Sequence, residues 1–75
     1  MNITGTSSYI KAEIDGKVVK IAGEMLVGGF VAYKDSIKNW EPPFEKERIS
    51  ESVRQDIIKK ITQETKDSHM VITFE

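Results

Sequence analysis

The sequence predicts an α+β domain, in which a mainly antiparallel sheet of four to five strands is covered on one face by one long helix. From residue 8 to residue 33, apolar and polar residues alternate in short runs, as they do in strands. Between residues 51 and 65 the apolar residues recur every three or four positions, as in a helix. A last alternating run ends the chain. We therefore expect an N-terminal β-meander, one helix and a final strand, in a single small domain over residues 1–75.

The first hairpin of the meander is predicted from its turn. Asp15-Gly16 is a dipeptide that two-residue type I′ turns prefer. The run before it alternates, and its core-facing residues are Ile10, Ala12 and Ile14. Lys17–Ala22 is then the return strand, and the preceding Met1–Ser7 is a loose end or a weak edge strand.

The course of the chain after this hairpin has two interpretations. Gly23-Glu24 is expected to break or bulge the chain before Met25. In the interpretation we prefer, the run up to Tyr33 is one bent strand, with a bulge or close backbone approach at Gly28-Gly29. In the alternative, Gly28-Gly29 is a hairpin turn between two short strands.

The predicted helix covers Glu51–Thr65, and Ser50 can cap its first turn. It has about four turns, and its core-facing stripe consists of Val53, Ile57, Ile58 and Ile61. An isolated helix of this length is marginal in water, so packing on the sheet must stabilise it. The last strand is predicted at His69–Phe74.

The segment Tyr33–Phe44 connects the meander to the helix and has an unusual composition, with the only tryptophan and both prolines of the chain. Asp35 and Ser36 can cap a short helical turn. The residues before and within Pro42-Pro43 are biased to extended geometry, which ends that turn. Either X-Pro bond can be cis, and the sequence leaves this open.

Trp40, in the middle of this segment, has two compatible interpretations. It can close one end of a small core, with its indole N–H bonded to a carbonyl. It can also be a contact residue for a partner, because tryptophan is enriched at binding hot spots. Whether Trp40-Glu41-Pro42-Pro43 serves the fold or a binding surface is thus open.

The composition argues against several classes of function. The chain has no cysteine and one histidine, which excludes the usual zinc sites and any disulfide. With 11 Lys and Arg against 12 Asp and Glu, the net charge is −1, which argues against binding nucleic acid or a membrane surface. No catalytic constellation can be selected, so we expect no enzyme, no metal and no cofactor.

The location of the protein is predicted from what the sequence lacks. No apolar run approaches the roughly 20 residues that a membrane span requires. The first residues, Met1–Ser8, do not have the positive and apolar regions of a signal peptide. We therefore expect a cytoplasmic protein.

Several pieces of the chain together resemble the small α+β immunity proteins of bacterial polymorphic-toxin systems. Those proteins carry a Trp-Glu-Pro-Pro type segment between a β-meander and a helix that is followed by one more strand. The matching pieces here are Glu24, Tyr33–Ser36, Trp40–Pro43, the Ile-rich helix and Val71–Glu75.

The resemblance implies a protein that binds a cognate toxin domain and neutralises it without catalysis. Inhibitors of nucleases are often strongly acidic, and this chain is nearly neutral, so the activity of the toxin stays open. Aromatic anchors ringed by charges are typical of such an interface. The residues that we expect to bind the partner are Tyr33, Asp35, Lys38, Trp40, Glu41 and Phe44.

The alternative is a small non-enzymatic binding or regulatory module. Such a module can form a homodimer through an edge strand, either the N-terminal one or Met70–Phe74.

Overall fold

The computed structural model describes all 75 residues. Five strands form one sheet in the order β1-β2-β3-β4-β5. All neighbours are antiparallel except β4 and β5, which are parallel and are connected through the helix. The elements are β1 (Asn2–Gly5), β2 (Tyr9–Ile14), β3 (Lys17–Leu26), β4 (Gly29–Ala32), a single 3₁₀ turn (Lys34–Ser36), α1 (Glu51–Thr65) and β5 (Val71–Phe74). The predicted α+β fold is confirmed, with five strands.

The first hairpin is formed as predicted. Asp15 and Gly16 have φ values of 53° and 83°, so both turn residues occupy the left-handed region that a type I′ turn requires. The ladder between β2 and β3 runs from Ile14 opposite Lys17 to Tyr9 opposite Ala22. Part of the N-terminal run forms the edge strand β1, paired with β2.

The bulge that we preferred at Gly28-Gly29 is wrong, and the alternative hairpin is present. β3 continues without interruption through Gly23 to Leu26, and the turn lies at Val27-Gly28. Gly28 has a φ of 78°, and Gly29 is already the first residue of β4. Met25 and Leu26 are therefore the end of a ten-residue strand and do not form a short strand of their own.

β3 can pass beside β4 at Gly23 because this residue has no side chain, and β4 lies very close to it. A Cβ atom at Gly23 would collide with the carbonyl oxygen of Val31 and with the ring of Phe30. Phe30 is fully buried, so its ring has little room to move. The glycine therefore marks a close contact between strands and does not break β3.

Helix α1 begins where the sequence predicts, since the Ser50 side chain accepts a hydrogen bond from the N–H of Val53 at 3.2 Å. Ile57 and Ile61 are buried against the sheet, whereas Val53 is 40 % exposed. The buried stripe instead continues to Thr65. The prediction of Val53 as a core residue is therefore wrong, because the helix buries its central and C-terminal turns and leaves the first turn exposed.

The core lies between α1 and one face of the sheet and includes the segment between β4 and α1. Its residues share near-complete burial and are all apolar. They are Ile10, Ala12, Ile14, Val19, Ile21, Phe30, Ala32, Ile37, Trp40, Ile49, Ile57, Ile61 and Ile72. No helix of the fold has both the length and the apolar character that a bilayer span needs.

Thr65 joins the end of α1 to β5. Its hydroxyl donates to the carbonyl oxygen of Ile61 at 2.9 Å and accepts from the N–H of Ile72 at 3.1 Å. All three residues are buried. The side chain thus satisfies a backbone donor on the outer edge of β5 that has no strand beside it.

We expect Thr65→Val to lower the free energy of unfolding by about 1–3 kcal/mol, because the buried N–H of Ile72 then has no acceptor. Thr65→Ser keeps the hydroxyl and is expected to cost less. Urea denaturation followed by circular dichroism measures both. Thr62→Val, on the exposed side of the same helix, is the control and should change stability by less than about 0.5 kcal/mol. Equal stability of the Thr65→Val variant and the wild type would contradict this role.

Candidate functional site

β3 is ten residues long and its neighbour β4 only four. Part of the β3 edge is therefore left without a strand, and the candidate site lies there. β4 pairs only with Gly23–Leu26, so Lys17–Ala22 has no strand on that side. Residues 33–49, here called the covering loop, lie along this part of the β3 edge. They contain the segment that stood out in the sequence.

Three hydrogen bonds connect the covering loop to the β3 edge. The N–H of Tyr33 donates to the carbonyl oxygen of Ala22 at 2.8 Å, and the N–H of Ala22 donates to Oγ of Ser36 at 3.0 Å. Further along, the N–H of Glu41 donates to the carbonyl oxygen of Val18 at 2.7 Å. Ser36 therefore bonds to β3. The prediction that its side chain caps the 3₁₀ turn is wrong, because that turn has no side-chain cap. An irregular segment here does what a neighbouring strand does elsewhere.

The covering loop is also closed on itself. The N–H of Ile49 donates to the carbonyl oxygen of Lys38 at 2.9 Å, and Asn39 forms an isolated bridge with Arg48. The tip between these ends contains Phe44 and Pro42-Pro43, whose connecting peptide bond is cis. The loop is thus a folded unit with its own contacts.

Lys17 holds the tip of the covering loop against the sheet. Its ammonium lies 5.6 Å from the centroid of the Trp40 ring and 5.3 Å from that of Phe44. Both carboxylate oxygens of Glu47 accept from it, at 2.6 and 2.8 Å. Two aromatic faces and one carboxylate therefore surround a single cation, which the return strand of the first hairpin supplies.

Burial separates the six residues that we predicted to bind a partner. Trp40 is only 7 % exposed and belongs to the core, which favours the core role of its first interpretation, but its indole N–H does not form the expected bond to a carbonyl. Tyr33 is 41 % and Phe44 38 % exposed, and Asp35 and Lys38 are exposed as well. Glu41, the sixth residue, is half-buried.

The structure does not bring these residues together in one patch. Asp35 and Lys38 line a shallow groove beside Arg54 in the first turn of α1. Glu41 instead reaches Lys11, with 3.7 Å between its Oε1 and the lysine Nζ, on the sheet face without a helix. Phe44 lies at the tip, next to Lys17.

The sheet face without a helix carries, beside the predicted Tyr33, four residues that the prediction missed. Ala22 lies opposite Tyr9 in the β2–β3 ladder and is bonded to Tyr33 on its other side, so a small residue separates two tyrosines. The ammonium of Lys20 lies 4.4 Å from the centroid of the Tyr9 ring. With Lys11 opposite Lys20, these residues form what we call the open face (Tyr9, Lys11, Lys20, Ala22 and Tyr33). The alternation of apolar and polar residues in β2 places Tyr9 and Lys11 on the side away from the core. This pattern is the sequence signal by which the open face could have been found.

The open face and the covering loop offer aromatic rings, paired charges and backbone edges. No group of three or more His, Cys, Asp or Glu side chains has the arrangement of a metal site. Tyr33 is exposed and Tyr9 is half-buried, and tyrosine is enriched on surfaces that bind proteins. Tyr33 belongs to both parts of this surface.

We expect Lys17→Met to lower the free energy of unfolding by about 1 kcal/mol, since it removes the cation from two rings and from Glu47 while keeping the aliphatic stem. The fluorescence of Trp40, the only tryptophan, should change along with it. Lys46→Met is the matched control, because Lys46 is an exposed lysine of the same loop. If the two variants unfold at the same urea concentration, the role given to Lys17 is wrong.

Comparison with protein families gives one match. The family model for Immunity protein 74 matches residues 2–75. A comparison with curated proteins found no match, and a comparison with solved structures found none either. The family match confirms the predicted resemblance to immunity proteins and covers the sheet, the covering loop and the helix together. This chain therefore belongs to the Immunity protein 74 family.

Proposed function

We propose that the protein is the antidote of a bacterial polymorphic-toxin system. In this proposal it binds the cognate toxin domain in the cytoplasm and neutralises it by occupying its surface, without catalysis. The observation that carries the proposal is the match of the immunity family to residues 2–75. Inhibition of this kind needs one complementary interface and no reacting group, which a domain of this size can supply.

The partner surface that we propose is the exposed part of the covering loop together with the adjacent open face. Tyr33 is the central anchor, because it is exposed and lies beside Ala22 at the border of the two surfaces. Phe44 is a second aromatic contact at the loop tip. Glu41 is the polar contact on this surface, next to Lys11, and such contacts mainly determine specificity and the rate of association. Asp35 and Lys38 lie in the separate groove beside Arg54, so they contact the partner only if it also extends to that groove.

Trp40 has a different role in this proposal. Its ring fills the core below the covering loop, so it mainly holds the loop in the conformation that presents Tyr33 and Phe44. Only its 7 % exposed edge is available to a partner. An anchor that is already positioned before binding loses little conformational entropy when the complex forms.

The electrostatics of the surface fit a partner of mixed charge. Lys11 is paired with Glu41 and Lys17 with Glu47, so neither sign dominates the loop and the open face. The net charge of the whole chain is −1. Steering by a strong field of one sign is therefore not the basis of recognition here, and shape and aromatic contacts carry more of the specificity.

The first test is co-expression with the toxin domain encoded by the neighbouring gene, followed by survival counts and a pull-down. We expect rescue and a stable complex for the wild type. Tyr33→Ala should raise the dissociation constant roughly 30-fold, which is the loss of affinity typical of an aromatic hot spot. Val53→Ala is the control, because Val53 is equally exposed on α1, and it should bind normally. A chain that neither rescues nor binds would refute the antidote role.

Trp40 is tested by separating stability from binding. Trp40→Ala should lower the free energy of unfolding by about 3–5 kcal/mol through loss of the buried ring, and rescue should fail together with a large drop in Tm. Trp40→Phe should retain most of both. Lost rescue at an unchanged Tm would instead identify Trp40 as a direct contact, contrary to the role proposed here.

A further inference from the structure

The outer edge of β1 has unpaired backbone groups. The N–H of Thr6 donates to the carbonyl oxygen of Tyr9 at 2.8 Å, which identifies the hydrogen-bonded pairs of the β1–β2 ladder. By the alternation of an antiparallel ladder, Thr4 also bonds to its partner Lys11. Ile3 and Gly5 alternate with these residues along β1, so their N–H and C=O groups point away from β2. These groups are arranged as in a strand that has no neighbour.

Of the features by which proteins protect edge strands, this edge has only a short length, since β1 has four residues. β1 reads Asn-Ile-Thr-Gly, without charge and without proline. The opposite edge, β5, differs, because Thr65 of the helix accepts from the N–H of Ile72 there. An uncharged and uncovered edge strand is a template for another strand.

A groove of about 500 Å³ runs along the same edge, on the helix side of the sheet, and its lining is partly apolar and partly polar. Its lining includes Ile3 and Ile10 and three exposed methionines, which are Met1, Met25 and Met70. Methionine side chains adapt to the shape of a partner, and they are frequent at binding surfaces. A strand added at β1 would place every second side chain above this groove.

We propose that β1 pairs with β1 of a second copy of this chain, antiparallel and about a two-fold axis. The register places Ile3 opposite Gly5 of the other copy, with Thr4 on the axis. Both N–H groups and both C=O groups of Ile3 and Gly5 are then paired in each copy. The two five-stranded sheets join into one continuous sheet, with both helices on the same side.

Three features of the strand favour a second copy as the occupant. Self-pairing brings no like charges together, because β1 has none. Ile3 meets a glycine across the axis, so its side chain finds space on the helix side, next to the groove of the other copy. The two Thr4 side chains face each other, and such cross-strand threonine pairs are favourable. This inference does not depend on the antidote role.

Thr4→Glu tests the proposal. In the monomer the new carboxylate lies opposite Lys11 on the same sheet face, which is a favourable cross-strand pair. In the dimer two glutamates meet at the axis. We expect sedimentation equilibrium to show a dimer for the wild type and a dissociation constant at least about tenfold weaker for the variant. An equimolar mixture with Thr4→Lys should restore dimers that contain one chain of each.

Two further variants control for non-electrostatic effects. Ile3→Pro removes an outward N–H together with a side chain that packs against the core. It should also weaken the dimer, and its Tm is measured alongside so that a loss of stability is recognised. Thr73→Glu places the same charge on β5 at the opposite edge, where Thr73 is exposed, and it should leave the dimer intact. A monomeric wild type, or a Thr4→Glu dimer of unchanged affinity, would overturn the proposal. So would loss of toxin binding by Thr4→Glu in a chain that is monomeric alone, because the occupant would then be a strand of the toxin.

Discussion

The free edge of β3 between Lys17 and Ala22 is the constraint on which the rest of the structure depends. Because β4 covers only Gly23–Leu26, the first half of β3 would leave backbone donors and acceptors without partners. Backbone groups at such a position need hydrogen bonds from protein or water. The covering loop supplies them without being a strand, and it must bend back over the sheet to do so. That course places Trp40 in the core and brings Phe44 and Glu47 to Lys17.

The distinctive segment around Trp40 thus serves the fold first and presents a surface second. A domain of 75 residues buries a limited core, so a tryptophan at its end accounts for a considerable part of the stability. The same packing fixes the positions of Tyr33 and Phe44 on the outside. The fold and the proposed binding surface are therefore coupled, and variants in this loop must be judged by stability and by binding together.

The two faces of the sheet have different roles, since one packs against α1 and the other faces solvent. α1 covers one face and encloses the apolar side chains, whereas the open face carries Tyr9, Lys20 and Tyr33 at the surface. The surface that we propose for the partner of this immunity-family member combines the two tyrosines of the open face with the exposed part of the covering loop. The β1 edge is a separate feature, at the other end of the strand order from β5, although the groove beside it extends to Met70 and Ile72.

The sequence by itself determined the features that depend on short-range forces. The Asp15-Gly16 turn follows from the tolerance of these residues for positive φ, and the start of α1 from the hydroxyl of Ser50. The tertiary structure alone decided the length of β3, the exposure of Val53 and the distribution of the predicted site over separate surfaces. Local preferences and periodicity act over a few residues. Burial and edge pairing depend on which distant segments meet, and a single sequence does not encode that in any local pattern.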